Sequence, residues 1–228
     1  MNDEFLNQMI PTKEVRGRVI CSIGTKYTGK SFLALKYLEA VLNTDLFDKY
    51  VLVLPNLKIE QNDSYSFLKK YKNNKIITLE KYTPEVSAKV IATQKEKKNK
   101  GKPLFFFIDD ASSQSMGSLD QKDNHMKDLL TSIRHYTTFL WVIGHGRSVF
   151  NTFLRANTDI FLFYNMTNKM LLKSLWEEFL SMFKEYPKFD LFMNEFIDHN
   201  QKNRFTPLYL NTRNRFKSYD FKNTIENL

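Results

Sequence analysis

The chain of 228 residues is poor in cysteine and glycine and has no long apolar run. Its one cysteine, Cys21, excludes a disulfide framework and a multi-cysteine zinc site, which fits a reducing compartment. The longest strongly apolar stretches, such as LFFFI at 104–108, fall far short of the roughly 20 residues that a membrane-spanning helix needs. The opening residues, MNDEFLNQMIPTKEVRGR, carry charge throughout and lack the apolar core of a secretory signal. No internal repeat and no linker is visible. A soluble intracellular protein is the expectation. Glycine is scarce, at seven residues, but hydrophobic residues make up 42% and aromatics 14%: a globular composition and not a disordered one. The length suits one large domain, or one domain with an appendage. The net charge of +9 admits a polyanionic partner without specifying one.

Six short runs have the near-continuous apolar character of strands buried on both faces: 18–24, 50–55, 75–79, 103–109, 139–144 and 160–164. Helical stretches alternate with them. The run 30–43 is apolar nearly all round, and in 123–136 the residues Met126, Leu129, Leu130 and Ile133 share one face. The alternation predicts an α/β sheet with right-handed crossovers. Beyond Asn165 the texture changes to helices over 169–186 and 189–200, divided by Pro187, and then to a strand or hairpin over 205–221. The expected organisation is an α/β core over 1–168, with 1–17 as a short extension, and C-terminal elements over 169–228 packed on the same domain.

The sequence GTKYTGKS at 24–31 has the spacing of a phosphate-binding loop. Gly24 and Gly29 let the backbone wrap a phosphate with successive N–H groups pointing inward. Lys30 is placed to reach the β- and γ-phosphates, and the Ser31 hydroxyl to ligate Mg²⁺. The match follows a predicted strand and opens a predicted helix, as the chemistry requires. Gly24, Thr25, Lys26, Tyr27, Thr28, Gly29, Lys30, Ser31 and Phe32 are therefore the expected ATP-binding residues. The bland alternative is a lysine-containing turn between strand and helix.

Such a loop needs a carboxylate to complete the Mg²⁺ shell. LFFFIDD at 104–110 supplies Asp109 and Asp110 at a strand's C-terminal end, where ligands of open α/β sheets gather. Asp109 is the expected Mg²⁺ residue, and Asp110 the residue that orients and activates the attacking water. Two strand runs, 50–55 and 75–79, lie between the two motifs. If one of them separates the motif strands in the sheet, the fold is a P-loop NTPase of the additional-strand class, RecA-like, with a mostly parallel sheet flanked by helices. Kinases and GTPases usually set the two strands side by side.

The block 103–165, PLFFFIDDASS…LLTSIRHYTTFLWVIGHGRSVFNTFLRANTDIFLFYN, resembles the FtsK–HerA superfamily, and within it the viral genome-packaging ATPases of poxvirus-like, tectivirus-like and Bacillus-podovirus types. The shared order is paired acids, a helix ending in arginine, a strand with a polar terminal residue, a short helix, and R-x-N-x-D before a further strand. Here these are Asp109 and Asp110, Arg134 with His135, His145, then Arg155, Asn157 and Asp159. With the phosphate loop, the resemblance spans roughly 18–165. It implies a homo-oligomeric ring of five or six subunits that hydrolyses ATP at its interfaces and drives double-stranded DNA into a capsid at the portal vertex, in the host cytoplasm. No lipid is implied. Arg134 is the implied arginine finger, with Arg147 and Arg155 behind it; the alternative for Arg134 is a surface arginine favoured at a helix C-terminus. His145 stands where the family carries a polar sensor, commonly Asn or Gln; the alternative is a structural turn residue. Asn151 is a weaker sensor candidate. Only about 60 residues follow Asn165, too few for the nuclease-like domain of the Bacillus-podovirus motors or the nuclease domain of large terminases.

Two stretches are candidates for touching DNA. QKEKKNKGK at 94–102 reads as a solvated connector, or else as a pore loop that tracks phosphates. NTRNRFKSY at 211–219 is basic with interleaved aromatics, which suits backbone contact and stacking or an ordinary exposed strand. His125, His135 and His199 are not at metal-binding spacing, so no metal beyond nucleotide-bound Mg²⁺ is expected.

Overall fold

The computed structural model describes residues 17–55, 63–71, 75–96, 103–111, 124–145, 149–166, 168–181, 188–202, 205 and 207–212. Seven strands form one sheet: Arg18–Ile23 (β1), Lys49–Val53 (β2), Ile76–Leu79 (β3), Leu104–Ile108 (β4), Thr138–Gly144 (β5), Ile160–Phe163 (β6) and Leu208–Asn211 (β7). Their order across the sheet is β3-β2-β4-β5-β1-β6-β7. Every pairing is parallel except β6 with β7, which is antiparallel. The helices are Lys30–Leu42 (α1), Pro84–Glu96 (α2), Asn124–Thr131 (α3), Thr152–Asn157 (α4), Lys169–Leu175 (α5) and Phe189–Lys202 (α6). A 3-10 segment covers Asp63–Tyr71, and a π turn at Trp176–Leu180 continues α5.

The strands are apolar at nearly every position because both faces of the sheet are covered. Successive side chains alternate between two cores. In β4, Phe105 and Phe107 face α1 and the 3-10 segment, whereas Leu104, Phe106 and Ile108 face the side packed by α2, α3, α5 and α6. The α1 side is an aromatic slab. Phe105 and Phe139 stack at 5.3 Å between centroids, Tyr37 lies 5.7 Å from Phe139, and Phe47 meets Phe105 edge-on at 5.2 Å. Such packing adds to the burial energy of each ring and fixes the relative height of β4 and β5.

The sheet is of the additional-strand class, but the strand that separates the motif strands is not one of those between them in sequence. It is β5, which follows β4 in the chain and lies between it and β1. The runs at 50–55 and 75–79 form β2 and β3 on the outer side of β4. The consequence for the site is direct, because the C-terminal end of β5 opens between the two motifs. The helix expected over 123–136 ends at Thr131, and a turn closed by His135 N–H on Ser132 O leads into β5. The helix expected to 186 passes through the π turn to Leu180, and Pro187 lies outside the described residues. Of the terminal strand or hairpin, Leu208–Asn211 is a strand, and 213–228 lie outside the described residues. Among the described residues no helix is long and apolar enough to cross a membrane.

Candidate nucleotide-binding site

The loop 24–31 joins β1 to α1 at the C-terminal edge of the sheet. Two positions favour glycine, one for its backbone and one for lack of room. Gly29 has φ +91°, and a Cβ at Gly24 would lie 2.6 Å from Tyr164 Cβ, so neither place accepts a side chain. Tyr27 adopts φ +61° without being glycine, a conformation that disfavours a Cβ. The loop is tied to the end of β6: Thr25 donates through N–H (2.8 Å) and Oγ1 (3.0 Å) to Asn165 O. Thr28 Oγ1 donates to Thr25 O at 2.9 Å and closes the loop on itself.

Lys30 points into this cradle. Its side chain is buried, and its ammonium donates to Thr25 O and, at 3.4 Å, to Thr28 Oγ1. Burial lowers its pKa to about 8, and the nearby Asp109 and Asp110 carboxylates restrain the fall. Ser31 Oγ donates to Asp109 Oδ1 at 2.9 Å, so the hydroxyl and the carboxylate expected to share a cation are already in contact across 78 residues of sequence. Asp109 leaves β4 with its N–H on Val53 O, and its Oδ1 also accepts from Asp110 N–H at 2.9 Å. Asp110 has φ +44°, a second strained position, and is only partly buried.

His145 is the first residue beyond β5 and enters between the two motif strands for that reason. Its Nδ1–H donates to Gly24 O at 3.0 Å, which leaves Nε2 3.6 Å from Asp110 Oδ1. The ring thus bridges the phosphate loop and the second acid.

Tyr65 belongs to the candidate site although no motif in the sequence points to it. It comes from the 3-10 segment, is buried, and donates its hydroxyl to Asp109 Oδ2 at 2.7 Å. Burial pushes the phenol upward, and the Asp109 charge pushes it further, so the hydroxyl stays a donor. Both oxygens of Asp109 are thereby oriented, one by Ser31 and one by Tyr65. No spacing rule links Tyr65 to either motif. Lys30, Ser31, Tyr65, Asp109, Asp110 and His145 line one pocket of about 370 Å³, whose mouth is bordered by Lys26, Tyr27 and Phe32.

The other implied residues lie elsewhere. Arg134 is exposed on the turn before β5, at the opposite edge of the sheet, against Gly17 at the start of β1. Arg155 is not a free finger. It is buried in α4, where Nε pairs with Glu178 at 2.7 Å and Nη1 donates to Phe150 O at 2.6 Å. Asn151 caps α4, its Oδ1 accepting from Leu154 N–H at 2.8 Å, which accounts for it without a sensor role. Asn157 donates to Phe153 O within the same helix, and Asp159 Oδ2 accepts from Val19 N–H at 2.8 Å. Arg147, most of the lysine run at 94–102 and most of 211–219 lie outside the described residues. Among the described residues no three His, Cys, Asp or Glu side chains are grouped to hold a metal ion.

The glycine-bounded loop, the acid pair one strand away and the intervening β5 define a P-loop nucleoside-triphosphatase fold of the additional-strand class. No family model matches the sequence, and no curated protein matches it. Solved structures do. B204, the DNA-packaging ATPase from Sulfolobus Turreted Icosahedral Virus, superposes with a TM-score of 0.61 at 16% identity, over 88% of this chain and 95% of that one. The genome packaging NTPase B204 from Sulfolobus turreted icosahedral virus 2, solved in complex with AMP, gives 0.60 at 14% identity, over 89% and 96%. EssC (ATPases 2 and 3) from Geobacillus thermodenitrificans gives 0.52 at 11% identity, over 71% of this chain and 34% of that one. The chain therefore shares the fold of these two packaging NTPases across nearly its whole length, well beyond the block 103–165.

Proposed function

We propose that this chain is an ATP-driven double-stranded DNA translocase that packages a viral genome into a preformed capsid, working as a ring of five or six copies with ATP hydrolysed between them. The observation that carries the reading is the Ser31–Asp109–Asp110–His145 constellation beside the phosphate loop, in a fold similar to that of a DNA-packaging ATPase. In this reading the loop amides and Lys30 hold the triphosphate, and the helix α1 N-terminus faces it. The donor set suits Mg²⁺: a serine hydroxyl and a carboxylate 2.9 Å apart are oxygen ligands of the kind a hard cation takes. Ser31 and Asp109 would hold it, and when bound it neutralises charge on the β- and γ-phosphates. Tyr65 holds Asp109 in its orientation. Asp110 orients the attacking water and takes its proton, while His145 couples that carboxylate to the loop. Arg134, supplied by a neighbouring copy, stabilises charge on the γ-phosphate in the transition state.

The reading places the protein in the host cytoplasm and at a capsid portal vertex, with double-stranded DNA as its track. ATPase activity measured with and without double-stranded DNA, across protein concentration, tests it. The expected outcome is a steep rise with concentration and stimulation by DNA, with Lys30→Ala silent throughout. Turnover that is independent of both variables, in a strictly monomeric particle, overturns it. The fold shared with EssC favours one second reading, a P-loop ATPase driving another assembly or conjugative process. Concentration dependence without any DNA response would select it.

A further inference from the structure

Seven large apolar side chains are exposed among the described residues, and the three aromatic ones, Tyr27, Phe32 and Phe205, all border the phosphate loop. Tyr27 and Phe32 line the pocket and Phe205 lies against the backbone of Gly29, so all three exposed aromatics stand where a planar, apolar group could cover them. The loop's two ends are furnished differently. At the Gly24 end stand His145 and, against it, Asp110, the groups suited to the γ-phosphate. At the Gly29 end stands Phe205, with backbone O and ring Cδ1 3.4 and 3.5 Å from where a Gly29 Cβ would sit, and Phe32 follows Ser31 in the first turn of α1. A triphosphate whose γ end lies at the acids carries its nucleoside toward the aromatic end. Phe205 and Phe32 are 52% and 55% exposed, so both are within reach of a ligand from solvent. Phe32 has Lys36 Nζ 5.8 Å from its ring centroid, so a cation supports it.

We propose that Phe205 and Phe32 form a stacking platform for the nucleobase, with Tyr27 at the lip. The proposal rests on the phosphate-loop reading and names the part of the ligand which that reading leaves open. Stacking uses the π face of a base and not its edge, so the platform selects a nucleoside triphosphate over a bare triphosphate while tolerating different purines.

Calorimetric titration of the full chain with MgATP, MgGTP and magnesium tripolyphosphate tests this. Wild type is expected to bind ATP tighter than tripolyphosphate, and GTP within about tenfold of ATP. Phe205→Ala and Phe32→Ala should each weaken ATP by about five- to a hundredfold and leave tripolyphosphate unchanged, with Phe205→Trp restoring ATP. Equal weakening of both ligands, or unchanged ATP binding in both alanine variants, overturns the platform. So does unchanged ATP binding with a shift only in sedimentation, which would make the aromatics a contact between copies. A hundredfold preference of wild type for ATP over GTP overturns it as well. Failure of wild type to bind even tripolyphosphate would instead overturn the phosphate loop itself, so the two readings fail in different ways.

Discussion

Lys30 is a buried cation whose pKa lies near 8, well below the ordinary 10.5, because burial penalises its charge more than Asp109 and Asp110 favour it. The sign of the linkage follows. Below about pH 8 the amine is charged in both folded and unfolded chain, and the full cost of burying it is felt. As the pH rises from there toward 10.5 the folded chain discharges first, so this group's contribution to stability rises. A bound triphosphate reverses the preference by placing negative charge against the ammonium. Binding MgATP near pH 8.5 should therefore take up a fraction of a proton, and near pH 6.5–7 the lysine should take up none. Titration calorimetry in buffers of different ionisation enthalpy reads this directly. Absence of uptake at the higher pH would show that the amine is not buried as described. The motif reveals that a lysine is there, since its spacing is chemical. It does not reveal Tyr65 on Asp109, because that contact depends on how a 3-10 segment with no motif of its own folds back over the strand ends.

At the scale of elements, Arg155 shows how a motif residue can be spoken for by packing. It joins α4 to the π turn through Glu178 and donates to Phe150 O, so it braces two elements. Arg155→Ala should cost about 2–4 kcal/mol, since it strips a partly buried carboxylate and a buried carbonyl of their partner. Urea denaturation measures this, and ATP affinity of the folded fraction should not move. A stable variant that binds ATP normally yet has lost turnover would return Arg155 to the finger role. The strands from 18 to 164 are legible in the sequence because burial on both faces writes continuous apolar runs. Their order is less legible: β5 enters between β1 and β4 because its face packs Phe139 and Trp141 against Tyr37 of α1, a tertiary fact without periodicity. Helix α2 is hard to read in the sequence for a local reason. Its buried face includes Ser87 and Gln94 beside Val90 and Ile91, so the apolar stripe is thin. The signal that marks it is Pro84 at the first helical position after Thr83.

The whole molecule presents its nucleotide pocket and Arg134 at opposite ends of the same strands. The six residues of β1 separate Gly17, against which Arg134 packs, from Gly24, a span of about 23 Å at ~3.3 Å per residue. Arg134 therefore cannot serve the pocket of its own chain, and a catalytic role requires a second copy turned head to tail, the kind of contact that closes into rings. Mixing variants tests the idea without a structure of the ring. Lys30→Ala removes the phosphate grip but keeps Arg134; Arg134→Ala keeps the grip but removes the finger. Each alone should be nearly inactive, and Arg134→Ala should still bind ATP. In an equal mixture that exchanges subunits freely, roughly a quarter of interfaces pair an intact pocket with an intact arginine, so ATPase activity should reappear at about that fraction of wild type. Recovery should grow with total concentration, because only assembled copies contribute. If the mixture stays inactive while sedimentation shows mixed oligomers, either Arg134 does not act between subunits or each site needs all its neighbours competent. A ring doped with a small share of Lys30→Ala in wild type separates these, since only the second case silences activity out of proportion to the dose.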